Sequence, residues 1–210
     1  MDFDVLPGPP LAELARTTMA RAFAATVSWA GARDTVPMRA DRTGRPVLLP
    51  HGGSALARDL ADEPAIVTLA VPAPTPFSSL RITGLTRPGG WHGGYPVILK
   101  SLEFTGANPA PITPGEYGAA APDPFWREAP AVVNHLERCH TAELVACVQA
   151  HGLTAAEYVL PRGLDRFGLE LLVFTSSGVA SVRLAYPDGP VSSLSEVPMS
   201  IRAVLTCRCD

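Results

Sequence analysis

A dense run of prolines in the middle of the chain constrains its fold more than any other feature. Six prolines lie between residues 105 and 130, at Pro109, Pro111, Pro114, Pro122, Pro124 and Pro130. Proline lacks a backbone N–H and has a fixed φ, so it is excluded from helix interiors and central strands. Because the chain has 210 residues and domains cluster around ~100–150 residues, the run predicts two small domains. We place the first at residues 1–104, a proline-rich linker at 105–130 and the second domain at 131–210.

Before the proline run, the sequence predicts one helix and a series of short strands. Apolar side chains recur at helical spacing between residues 10 and 25. Six strand-like segments follow, at residues 26–30, 36–40, 47–50, 66–71, 79–85 and 97–104. Ser54 is placed to cap a brief helix that ends before Pro64. Short strands at this spacing are typical of a small barrel.

After the proline run, the pattern changes to a long helix followed by strands. Residues 131–150 contain no proline or glycine, which predicts one helix of about five turns. Residues 157–160, 169–175 and 179–186 are strand-like, and Asp165 and Arg166 are expected to fix a turn between two of them. Residues 195–207 predict a closing helix. The second domain is therefore expected to be α-β-β-β-α, within an α+β protein.

Composition and charge exclude several classes of protein. Hydrophobic residues make up 47% of the chain and charged residues 18%, which is typical of a packed globular protein. A net charge of −3 argues against nucleic-acid binding, because such proteins concentrate lysine and arginine. No apolar run approaches the ~20 residues that span a bilayer, and the first residues are acidic, unlike a signal peptide. We therefore expect a cytoplasmic protein that neither spans a membrane nor binds nucleic acid.

Two groups of motifs carry a resemblance to a known family. In the second half they are His135-Leu136, His140, the segment 163–171 and the segment 183–187; in the first half they are residues 44–49, 58–64 and 81–84. With these motifs the chain resembles the HugZ-type haem-utilisation proteins. These are pyridoxamine 5'-phosphate oxidase-like split barrels, and their C-terminal domain also occurs in the chloroplast glutamyl-tRNA reductase-binding protein. The resemblance implies an FMN-binding-like split β-barrel followed by a small α-β-β-β-α domain.

The resemblance also implies a function, with alternatives that the residues leave open. It implies a homodimer that binds haem or a related tetrapyrrole and takes part in haem handling or sensing. A second hypothesis is an FMN-dependent oxidoreductase, since the same barrel would hold FMN at a dimer interface. A third is a cofactor-free regulatory module that binds a partner enzyme of tetrapyrrole metabolism. No residue is assigned a catalytic role, and whether the protein is an enzyme stays open.

Candidate cofactor contacts come from two glycine-rich loops and three arginines. His51 and His92 are each followed by a pair of glycines, which let a backbone approach a ligand while the imidazole coordinates or stacks on it. Arg39, Arg58 and Arg81 could pair with haem propionates or with a flavin phosphate. The competing interpretation is two ordinary turns and three solvated arginines.

Histidine and cysteine recur along the predicted helix at residues 131–150, but we predict no metal site there. His135, Cys139, Glu143, Cys147 and His151 repeat every four residues and would form one drifting stripe. A straight helix would hold His135 and His151 ~24 Å apart, too far for one ion. Cys207 and Cys209 could form a metal-binding or redox tail, but we favour two free thiols at a frayed terminus.

Overall fold

The protein is described by a computed structural model that defines residues 9–74, 77–87, 94–186 and 189–196. The chain divides into two compact units between Pro122 and Asp123. Each unit has its own cluster of buried apolar side chains. Within the described residues, no helix combines the length and the apolar character needed to cross a membrane.

The first unit is a closed antiparallel barrel of six strands with helices around it. Its elements are α1 (Leu11–Arg21), β1 (Ala24–Trp29), β2 (Ala32–Ala40), β3 (Pro46–Leu48), α2 (Ala55–Asp62), β4 (Ile66–Pro72), β5 (Ser79–Thr86), β6 (Tyr95–Thr105), β7 (Ala110–Ile112) and α3 (Pro114–Ala119). The strand order is β3-β2-β1-β4-β5-β6, and pairing of β3 with β6 closes the barrel. Strand β7 pairs with the C-terminal part of β6.

Side chains alternate between the barrel core and its outer surface, as the period of two in a strand requires. In β4, Val67, Leu69 and Val71 are buried. Helix α2 begins at Ser54, whose Oγ accepts a hydrogen bond from the Ala57 N–H at 3.1 Å. The predicted barrel, the opening helix and the Ser54 cap are confirmed.

The proline-rich segment at 105–130 is folded, although the sequence indicated a linker there. Pro111 lies in β7, an edge strand, opposite Glu103 of β6. Pro114 occupies the first turn of α3, which Thr113 and Glu116 close as a capping box. Edge strands and first helical turns are the positions where a missing N–H costs no hydrogen bond. The prolines therefore mark the edges of elements, and the segment is shared between the two units.

The second unit pairs two helices with a three-stranded antiparallel meander. Its elements are α4 (Ala129–Cys139), α5 (Thr141–Ala150), β8 (Tyr158–Asp165), β9 (Gly168–Thr175) and β10 (Gly178–Ala185), followed by a 3₁₀ turn at Leu194–Glu196. The strand order is β10-β9-β8. The predicted turn is confirmed: Asp165 Oδ1 accepts the N–H groups of Phe167 and Gly168 at 2.8 and 3.1 Å.

The prediction of one continuous helix over 131–150 is wrong, because the helix breaks at His140. That residue has φ −130° and ψ 23°, outside the helical region. In an unbroken helix, positions 136 and 144 would point about 80° apart at 3.6 residues per turn. Leu136 of α4 and Leu144 and Val148 of α5 lie in the same buried cluster. The described part of this unit is therefore α-α-β-β-β, and most of the predicted closing helix at 195–207 lies outside the described residues.

Candidate functional site

The candidate site is a cavity of about 540 Å³ in the first unit. It is lined by Thr43, Arg45, Arg87, Ile98, Leu99, Pro114, Tyr117 and Gly118. Small-molecule sites in proteins are typically ~300–1,000 Å³. The cavity has the size of a small-molecule site.

Strand pairing places one arginine on each side of β6 at this cavity. Val47 of β3 pairs with Pro96 of β6, and continuing this antiparallel register brings Arg45 beside Ile98. On the other side of β6, Thr86 pairs with Val97, and Arg87 follows directly. Both arginine side chains belong to exposed residues. The barrel therefore presents two guanidinium groups on either side of an apolar strand segment.

The loop that carries Arg45 is held by a single carboxylate. Asp41 Oδ1 accepts hydrogen bonds from the Thr43 N–H at 2.8 Å, the Thr43 hydroxyl at 2.7 Å and the Arg45 N–H at 3.0 Å. Burial alone would raise the pKa of Asp41, but these hydrogen bonds and the charge of Arg45 outweigh it, and the net pKa is lowered. The ionised carboxylate therefore stabilises the loop conformation.

Tyr117 of α3 lines the cavity and also contacts the loop that carries Arg45. Its side chain is 1% exposed, and its hydroxyl donates a 2.6 Å hydrogen bond to the Gly44 carbonyl. Gly44 has φ +82°, a conformation that favours glycine, and a Cβ there would meet the Arg16 guanidinium. Arg16 itself lies over the Tyr117 ring at 5.1 Å and donates to the Thr43 carbonyl.

Burial keeps the Tyr117 hydroxyl protonated. Desolvation raises its pKa to about 12, although the positive charge of Arg16 opposes part of that rise. A protonated phenol that already donates to a carbonyl is a poor metal ligand. Among the described lining residues there is no histidine, cysteine or carboxylate. The cavity lining offers apolar side chains and two guanidinium groups that suit an anionic group, but it supplies no ready ligand for iron.

The barrel separates two of the arginines that the sequence singled out. Arg39 is exposed on β2, next to the buried Met38. Arg81 points outward from β5 and forms a 2.9 Å ion pair with Glu103. Strands β2 and β5 are three positions apart in the six-stranded ring, so they lie on opposite sides of the barrel. One chain therefore does not bring Arg39 and Arg81 to a common ligand.

The structure places His51 in the turn before α2 and Arg58 on α2 itself. His51 is exposed, and its carbonyl accepts the Ser54 N–H at 3.0 Å. Arg58 Nη1 donates to the carbonyl of Gly53 in the same turn. Neither residue lines the described cavity. His92 lies outside the described residues.

Sequence reasoning missed Arg45, Arg87 and Tyr117 as site residues. Tyr117 lies in the proline-rich segment that was interpreted as a linker, although the pattern Thr113-x-x-Glu116 is a capping box and indicates a helix there. Arg87 carried no local signal, since only the pairing of β5 with β6 brings it to the cavity.

Comparison with solved structures finds a similar fold over nearly the whole chain. A haem-binding protein from Mycobacterium smegmatis is 25% identical, with a TM-score of 0.63, over 95% of this chain and 96% of the other. Atu2129, a protein of unknown function from Agrobacterium tumefaciens, is 18% identical with a TM-score of 0.36, over 95% and 97% of the two chains. The sequence matches neither a protein-family profile nor a curated protein sequence.

Proposed function

We propose that this protein binds haem or a closely related tetrapyrrole. The observation that carries the proposal is the similarity, over nearly the whole length of both chains, to a structure described as a haem-binding protein. That similarity includes both compact units, because it covers 95% of this chain. The motif resemblance to HugZ-type proteins independently indicates the same ligand. Haem handling or sensing is the role that fits a tetrapyrrole-binding protein with no assigned catalytic residue.

The cavity chemistry supports a tetrapyrrole. Haem is a flat, largely apolar ring with two carboxylates on one edge. Ile98 and Leu99 supply apolar surface, and Arg45 and Arg87 supply guanidinium groups that pair well with carboxylates. When bound, haem would supply iron-centred ligand or redox chemistry. The chain's own residues would orient the ring through its acidic edge and shield its apolar face from water.

The iron ligand is proposed to come from outside the cavity lining. His51 and His92 are the candidates from the sequence, because a neutral imidazole is a common haem ligand. A split-barrel homodimer would allow a residue of one chain to reach a ligand held by the other. The homodimer is a prediction from the resemblance, and light scattering on the purified protein tests it.

FMN is the second candidate ligand. The same pair of guanidinium groups at Arg45 and Arg87 suits a phosphate, and the FMN-binding-like split barrel is the fold class that we propose for the first unit. A regulatory module without cofactor, acting on an enzyme of tetrapyrrole metabolism, is the hypothesis that remains if neither ligand binds.

The test is a titration of the purified protein with haemin and, separately, with FMN, followed by absorbance. We expect a saturable Soret shift with haemin, and a rise in Kd of about ten- to a hundredfold for Arg45→Ala or Arg87→Ala, because a charge-assisted hydrogen bond contributes ~1.5–3 kcal/mol. Arg81→Ala is the matched control, since that arginine is paired with Glu103 on the outer surface. It should leave the Kd unchanged.

Variants of His51 and His92 test which of the two histidines coordinates the iron. If His51→Ala or His92→Ala changes the Soret position while Kd changes little, that residue coordinates iron. Saturable binding of FMN alone would replace haem with the flavin hypothesis. No saturable change with either ligand would reject both and leave the regulatory module.

A further inference from the structure

The break between α4 and α5 brings together two histidines that a straight helix would keep apart. His140 Nε2 lies 3.2 Å from His135 Nε2, and the ring centroids are 5.0 Å apart at an interplanar angle of 65°. His140 is 2% exposed, and His135 is half-buried. The pair therefore has one ring fixed in the core and one ring that solvent can reach.

This spacing matches two imidazole ligands of one metal ion. Zinc binds histidine nitrogen at ~2.0–2.1 Å with tetrahedral geometry, which holds two ligand nitrogens about 3.3 Å apart. The same geometry holds the two ring centres about 5 Å apart. The observed distances agree with both values. A direct hydrogen bond between the rings also allows the nitrogen separation, so the two interpretations have to be separated by experiment.

The other nitrogen of His140 supports the metal interpretation. His140 Nδ1 is buried, has no hydrogen-bond partner in the described part of the chain, and lies 3.9 Å from Glu143 Oε1. Histidines that bind metal through one nitrogen commonly donate the other N–H to a carboxylate, which fixes the tautomer. Glu143 is 57% exposed at its side chain, so a small rotation can close the gap.

We propose that His135 and His140 form a two-histidine site for a borderline divalent transition metal such as Zn²⁺. Imidazole favours this class of ion over Mg²⁺ or Ca²⁺. The described residues contain no cluster of three or more histidine, cysteine or carboxylate side chains suited to a metal. The ion would keep its remaining positions for water or for a donor from another molecule. Glu143 acts as a positioning residue for His140.

The test is a Zn²⁺ titration of the full-length protein in competition with a chromogenic chelator. We expect one equivalent bound, and affinity at least tenfold weaker in His135→Ala. His151→Ala is the matched control, because that exposed histidine at the end of α5 hydrogen-bonds to the Cys147 carbonyl. The Zn²⁺ affinity of His151→Ala should equal that of the unchanged protein. Glu143→Gln should weaken binding by about tenfold or more.

Three further measurements can refute the proposal. A Cys207→Ser/Cys209→Ser variant must still bind one equivalent, so that thiols at the end of the chain do not account for the ion. Imidazole NMR must show Zn²⁺-dependent shifts of both Nε2 atoms, and circular dichroism must show His135→Ala to be folded. Absence of stoichiometric binding, retention of full affinity in folded His135→Ala, or loss of the ion from the cysteine variant would overturn the site in favour of a hydrogen-bonded histidine pair.

Discussion

Replacing Tyr117 by phenylalanine tests whether its hydroxyl holds the arginine-bearing loop. Phenylalanine keeps the ring beneath Arg16 and removes only the 2.6 Å hydrogen bond to Gly44. Both partners are buried, so the carbonyl loses its donor without ready access to water. Leaving a buried polar group unpaired costs ~1–3 kcal/mol. For a unit spanning residues 10–122, each kcal/mol corresponds to about 4 °C in Tm.

We therefore expect Tyr117→Phe to lower the Tm of the first unit by about 4–12 °C. The measurement is thermal unfolding by tryptophan fluorescence in a Trp91→Phe/Trp126→Phe background, because the chain has three tryptophans and this background leaves Trp29 as the reporter. Trp126 lies in the second unit and would otherwise obscure the signal of Trp29, which is buried in the barrel core.

Tyr95→Phe is the matched control for this experiment. The Tyr95 hydroxyl reaches the Ala57 carbonyl only at 3.4 Å in a partly buried position, so its removal should cost less. A Tm loss for Tyr117→Phe that is below about 2 °C, or no larger than that for Tyr95→Phe, would refute the argument that the buried hydroxyl fixes the loop.

Three other outcomes follow from single contacts. Asp123→Ala should destabilise the second unit by about 3–5 kcal/mol in urea unfolding. The reason is that the buried Asp123 carboxylate accepts the N–H groups of Phe125 and Arg166 at 2.7 Å each. A loss of stability under about 1 kcal/mol would contradict this. Ser54→Ala should cost about 1 kcal/mol in the same assay, through the lost cap of α2, whereas Ser54→Gly should cost only a few tenths. The lowered pKa of Asp41 means that its stabilising effect is present above its ordinary value of 3.8 and is lost as pH falls through the lower value in the folded state. The Tm difference between the unchanged protein and Asp41→Asn should therefore shrink below about pH 4, and a constant difference would argue against this role.

Local patterns in the sequence were sufficient to predict the strands of the barrel core and the Ser54 helix cap. Strand β4 was predicted at residues 66–71 and lies at Ile66–Pro72, because alternation of buried and exposed side chains is a property of neighbouring residues. The Ser54 cap was predicted correctly for the same reason, since the hydroxyl and the N–H that it accepts are three residues apart.

Features that depend on contacts between distant residues were not predictable in this way. Arg45 and Arg87 are 42 positions apart and reach one cavity only because β3 and β5 flank β6. The break at His140 could not be predicted from local signals, because residues 131–150 contain no proline or glycine. Leu136 of α4 and Leu144 and Val148 of α5 nevertheless share one buried cluster.

The sequence by itself determined the opening helix, the strands of the barrel core and the Ser54 cap, because these depend on periodicity and on hydrogen bonds within a few residues. The tertiary structure alone decided which arginines share a cavity, that the proline-rich segment is folded, and that His135 meets His140. Closure of a barrel and packing of a helix on a sheet are set by the whole core, whose free energy no short stretch of sequence contains.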